Sequence, residues 1–220
     1  MKKILCVFLI IVVGLAGYVF VKYTKVGLIS KGTPIPVYEK SGKALLVIDL
    51  QRDLTTKNGK HVINLNQTDQ VIENTNKIIE RFKNRGFLVI YIKQIHDTGP
   101  IINLFTNGAL AEGSKGSMID SRVKIINDNV LEKRIMDAFS NPKLDSLLRS
   151  NQINQLYITG VAADQCVDRT SKAAMNRNYE VTIVSNAVGT FTDEKRDNKL
   201  KEFAGLGMKV ITTDDLLKQL

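Results

Sequence analysis

The sequence predicts an α/β domain built on a mostly parallel sheet of five or six strands, preceded by one N-terminal transmembrane helix. Three observations lead there. Apolar runs such as ALLVI (44–48), FLVIYI (87–92) and LYIT (156–159) lack the alternation of a half-exposed strand, and suit strands buried on both faces. Stretches of helical periodicity separate them at the spacing of right-handed βαβ units. Residues 4–21, ILCVFLIIVVGLAGYVFV, form a run of eighteen without a charge.

The net charge of +9 at first sight suits nucleic acid, but its distribution does not. Residues 1–43 hold seven lysines and one acid, Glu39, which leaves only +3 on the remainder, with the signs interspersed. No basic run interleaves with aromatics, so no nucleic-acid partner is expected. A juxtamembrane patch facing anionic lipid is the simpler account. Cys6 lies in the apolar run and Cys166 in the domain, so neither a disulfide framework nor Cys/His metal spacing is present.

Residues 1–3 form a basic tip. As a helix, residues 4–21 would span about 27 Å, close to the hydrocarbon thickness of a bilayer. Cleavage after Ala16 or Gly17 would leave the apolar segment 18–21 at a new N-terminus, and Tyr18 stands where a lipoprotein would carry its cysteine. The expectation is a retained single-pass anchor in a bacterial-type cell membrane. Lysines flank it on both sides and leave open which side the domain faces. Residues 22–42, with Pro34 and Pro36, read as a tether, and 43–220 as the domain.

The first strand, within KALLVIDLQRDL (43–54), ends at Asp49. A buried acid is costly unless paired or functional, and ligands of open α/β sheets bind at this C-terminal edge. Asp53 is read as ordering the following loop. Asp69 to Arg85 is an amphipathic helix burying Val71, Ile72, Ile78, Ile79 and Phe82, with Thr68 as N-cap and Gly86 as its stop. A strand over 87–94 follows, and His96 lies just beyond it as a hydrogen-bonded loop residue. Residues 97–129 are polar and Gly-rich, a substrate-covering loop or oligomer contact. A short strand over 130–132 leads to Lys133, and 143–149 reads as a helix with Leu144, Leu147 and Leu148 inward.

In QLYITGVAADQCVDRTSKAAM (155–175) a strand passes through the turn Gly160, Val161, Ala162 into a helix opening at about Gln165. Cys166 falls in its first turn, where unpaired amides and the helix dipole favour a thiolate. A strand over 180–185, a helix over 194–204, a strand over 209–213 and a helix from Asp214 complete the domain.

Asp49, Lys133 and Cys166 each fall at a C-terminal strand edge, so the fold draws them into one crevice. The trio makes chemical sense without a histidine. Asp49 would take the thiol proton and later deliver it to a leaving amine. Lys133 would favour the thiolate and offset its repulsion from the carboxylate. Backbone amides near Ala162 and Cys166 would bind the oxyanion.

In their order, ALLVIDLQRDL, VLEKRIMDAF and YITGVAADQCVDRTSKAAM resemble the isochorismatase-like cysteine hydrolases, which include nicotinamidases and related amidases. The resemblance covers about residues 43–213. It implies a three-layer α/β/α fold, an Asp49–Lys133–Cys166 triad, a small-molecule substrate and a homo-oligomer. It also implies a cis peptide at Val161–Ala162 that aims two N–H groups into an oxyanion hole. Family nicotinamidases carry a metal-binding Asp-x-His pair after the second strand. Here KQIHDTG has Gln94 in place of the acid and retains only His96, so neither a metal nor another cofactor is expected. Leu54 replaces a family aromatic, and Asn141–Pro142 replaces the Gly-Thr that follows the step from Lys133 to Phe139. Leu54, His96 and Phe139 are therefore candidate pocket residues. Members that cleave the vinyl ether of isochorismate often lack the cysteine, so Cys166 points to C–N hydrolysis. Vinyl-ether hydrolysis through Asp49 without the thiol, and an inactive membrane-tethered binding module, are the alternatives.

Overall fold

The computed structural model describes Gly14, Gly17 and residues 24–220. Strands β1 (Gly42–Ile48), β2 (Leu88–Gln94), β3 (Val130–Lys133), β4 (Ile153–Val161), β5 (Glu180–Gly189) and β6 (Lys209–Ile211) form one sheet. Their order is β3-β2-β1-β4-β5-β6, and every neighbouring pair is parallel. The first connections build outward from β1 and the later ones return past it, so the topological switch lies between β1 and β4. A crevice opens at the C-terminal ends of two such strands.

Successive side chains of a strand point to opposite faces, and here both faces are covered. Leu46, Ile48 and Ile90 pack with Leu144, Leu148, Ala173, Phe203 and Cys166 on one side. Leu45, Val47 and Tyr91 pack with Val71, Ile78, Ile79, Phe82 and Leu216 on the other. Each fully buried Leu or Ile contributes about 1.5–3 kcal/mol, so these two layers supply most of the driving force.

The helices are α1 (Arg52–Thr55), α2 (Leu65–Asn84), α3 (Pro100–Thr106), α4 (Pro142–Ser150), α5 (Asp168–Met175), α6 (Asp193–Gly205) and α7 (Thr213–Gln219). Two depart from expectation. The helix expected from Asp69 starts at Leu65, because Asn64 rather than Thr68 caps it: the Asn64 side chain accepts from the amides of Asn66 and Gln67. Thr68 sits inside the helix with its hydroxyl donating to Leu65 O. Within 97–129, α3 starts with Pro100 in its first turn, a position that wastes no donor.

Residues 26–42 are not a free tether. Val26 O accepts from Met136 N at 2.9 Å and Ile35 N donates to Arg177 O at 2.8 Å. Ser30 N donates to Asp137 Oδ2 at 2.9 Å, and Ile29 and Ile35 pack against the core. Composition gave the segment a linker's look, but Asp137, Arg149 and Arg177 supply partners that turn it into a strap. Of the expected membrane span, 4–21, all but Gly14 and Gly17 lie outside the described residues. Among the described residues no helix is long and apolar enough to cross a membrane.

Candidate active site

β1 delivers Asp49 to the switch point. Its amide still donates to Ile92 O at 2.9 Å, but φ of +52° turns the chain out of the strand. Aspartate tolerates this left-handed region better than most residues. β3 ends on Lys133, in register with Gln94 of β2. β4 closes against β1 through Gly160, where φ is +117° and a Cβ would come within 2.0 Å of Ile48 O, so only glycine permits the approach.

Beyond it, the Val161–Ala162 peptide is cis. Gln165 N and Val167 N both donate to Ala162 O, at 3.0 and 3.2 Å. The helix expected at about Gln165 thus opens as a wide turn, Ala163–Val167, before α5. Cys166 is held inside that turn.

These elements bring Asp49, Lys133 and Cys166 together, at 1 %, 2 % and 8 % exposure. The Lys133 ammonium lies 2.8 Å from Asp49 Oδ2, 2.6 Å from Gln94 Oε1 and 3.1 Å from Cys166 Sγ. Its three donors thereby meet three acceptors. Burial works against its charge, but the Asp49 carboxylate and the Cys166 sulfur hold its pKa above the ordinary lysine value. Lys133 is a fixed cation.

Burial first, and then the Asp49 charge, push the Cys166 thiol up to about 12 against the pull of Lys133. Burial and the facing carboxylate thus work against the thiolate that the helix position alone favours. Asp49 Oδ1 is buried with no hydrogen-bond partner among the described residues. It is the oxygen of the pair still open to the thiol proton. Alkylation of Cys166 by iodoacetamide should therefore climb with pH and not level off below about pH 10. A plateau near neutrality would show a thiolate ground state instead.

Two glutamines belong to this site: Gln94, marked in the sequence only as a replaced acid, binds Lys133, and Gln51 was not singled out. Gln51, fully buried, donates from Nε2 to Gln94 O and Ser117 O, while its Oε1 accepts from Gln94 N. It ties the end of β2 to the segment around Ser117 and so steadies Gln94 beside Lys133. The signal was a glutamine two residues beyond Asp49, easily read as a surface residue.

The other expected residues divide. Asp53 does order the loop, accepting from Lys60 N and Leu110 N. His96 clasps the excursion after β2: its amide donates to Leu110 O, and its Nδ1 lies 2.9 Å from Ala109 O. Burial holds its pKa below the ordinary histidine value. Leu54 sits in the core layer opposite Cys166. Phe139 is in the Cys166 layer, but Arg177 covers its ring at 4.3 Å and Tyr179 packs at 5.9 Å. Leu54 and Phe139 are both buried, at 7 % and 4 % exposure.

A metal like that of the family nicotinamidases does not fit these residues. Gln94 Oε1 is engaged by Lys133, so His96 lacks the paired carboxylate of such a site. Among the described residues no group of three His, Cys, Asp or Glu is arranged to hold an ion.

A family model, the isochorismatase domain, matches residues 43–215. The chain is 28% identical to YwoC, an uncharacterized isochorismatase family protein of Bacillus subtilis, over 80% of this chain and 93% of the relative. It is 26% identical to a probable inactive nicotinamidase of Arabidopsis thaliana, over 80% of this chain and 95% of that one. The crystal structure of the nicotinamidase/pyrazinamidase PncA from Bacillus subtilis superposes with a TM-score of 0.70 at 26% identity, covering 77% of this chain and 99% of that structure.

Proposed function

Because the chain belongs to the isochorismatase-like hydrolase family, we propose that it cleaves a C–N, amide-type bond of a small molecule through a thioester on Cys166, working as a membrane-anchored enzyme. The observation that carries this reading is the contact of Lys133 with both Asp49 and Cys166 in a nearly closed site, where charge acts with little screening.

The thiol proton passes to Asp49 Oδ1 as Cys166 Sγ attacks the carbonyl carbon. Lys133 supplies fixed positive charge, so sulfur and carboxylate can share the site while negative charge moves between them. The amides of Ala162 and Cys166 are the proposed oxyanion donors. Collapse breaks the C–N bond, and Asp49 returns its proton to the departing amine. Water then adds to the thioester and gives its proton to Asp49. The acid leaves, and the proton goes back to sulfur.

Anchoring rests on the uncharged run 4–21 and the lysines that flank it. A panel of small primary and secondary amides tests the reaction, with amine release by the full chain as the expected result. A second reading, vinyl-ether hydrolysis, is favoured by one feature: the unpartnered Asp49 Oδ1 could exchange a proton with substrate without help from the thiol. Turnover of isochorismate, with every amide left intact, would select it.

A further inference from the structure

Resting on the reading of residues 4–21 as an anchor, the geometry points to the Cys166 edge of the sheet as a membrane-contact surface whose partner is an anionic lipid bilayer. The strap fixes where the chain that follows residues 4–21 meets the domain. Val26 O is held by Met136 N, three residues beyond Lys133. A Cβ on Gly27 would lie 3.9 Å from Arg169 Nε, three residues beyond Cys166. From there the strap runs to the opposite edge, where Gly42 N donates to Gln152 O beside the start of β4. The continuous described chain, from residue 24, therefore starts at the catalytic edge, and the uncharged run precedes it in the sequence. The four residues 22–25 between them can extend at most about 14 Å. Gly14 and Gly17, the described residues of the run, are exposed, and a Cβ on either would meet nothing within 4 Å.

That edge has the chemistry of a lipid interface. Leu28, Leu104, Phe105 and Met118 are 56%, 80%, 66% and 54% exposed. The first follows Gly27 on the strap. Leu104 and Phe105 lie on α3, whose excursion is clasped by His96 and Asp53, and Met118 O accepts from Arg52 N just past Asp49. Lys25, Arg52, Lys57, Lys60 and Lys115 are exposed around them. Beside this cluster the acids Asp97 and Glu112 are both ion-paired with Arg134, while the exposed Asp193, Glu194, Asp214 and Asp215 follow β5 and β6, at the far end of the strand order from β3. Apolar side chains set among lysines seat at the acyl boundary while the cations meet anionic headgroups. At the opposite edge Val37 and Leu206 are exposed singly, as on any soluble surface.

The chain has no tryptophan, so one introduced residue reports its own surroundings. Phe105→Trp and Val37→Trp are compared in the full chain, reconstituted into phosphatidylcholine–phosphatidylglycerol vesicles with brominated acyl chains. The protein is expected to float with the vesicles. Emission from Phe105→Trp should be blue-shifted and quenched several-fold more strongly than that from Val37→Trp. A floating protein with Phe105→Trp unquenched, or with equal quenching at both sites, overturns the surface and spares the anchor. A blue shift without bromine quenching reveals a protein partner, a second copy included, and also overturns it. A protein that does not float overturns surface and anchor together.

Discussion

Replacing Cys166 with alanine should abolish amide cleavage, with kcat/KM falling by about 10³-fold or more, since the attacking atom is gone and no neighbour can take its place. The fold should survive, because the change removes one sulfur from a packed wall and costs about 1 kcal/mol. A correctly folded, inactive Cys166→Ala therefore separates chemistry from stability. Should that variant keep its activity while Asp49→Ala loses it, the thiol is a bystander and the carboxylate alone carries the reaction.

Lys133→Met should damage both activity and stability. Methionine fills much of the same volume, but Asp49, at 1 % exposure, loses the ammonium 2.8 Å from its Oδ2. Breaking a buried ion pair from one side costs about 3–5 kcal/mol, because the remaining charge is stranded. Urea denaturation should show this loss near neutral pH. Activity should fall at least as far as in Cys166→Ala, since nothing then moderates the repulsion between carboxylate and forming thiolate. A Lys133→Met protein as stable as the parent at neutral pH would mean that Asp49 was never charged beside it.

Much of this site could be read from the sequence because topology does the work. Apolar runs ending in Asp49 and Lys133, and a strand-turn-helix ending in Cys166, allow few arrangements once crossovers are right-handed. The charge state of Cys166 could not be read the same way. Its helix position argued for a thiolate, whereas burial and the facing carboxylate argue harder for a thiol, and depth is not visible in a sequence. The Gln51–Gln94 clasp escaped for a related reason: a buried glutamine and an exposed one look alike until their partners are known. The strap was read as a tether because its partners lie over a hundred residues away, as with Ser30 and Asp137. Asn64 was passed over as a cap because Asn66 and Gln67 interrupt the apolar periodicity after it. The anchor remains a reading of residues 4–21 alone.

The central claim is a covalent intermediate on Cys166. The most direct measurement is intact-mass and peptide mass spectrometry of the full chain, acid-quenched during turnover of whichever amide it accepts. The expected result is a mass increase equal to the acyl part of the substrate, located on the peptide that carries Cys166 and absent from Cys166→Ala. Turnover with no adduct at any quench time, and full activity in Cys166→Ala, would contradict the account.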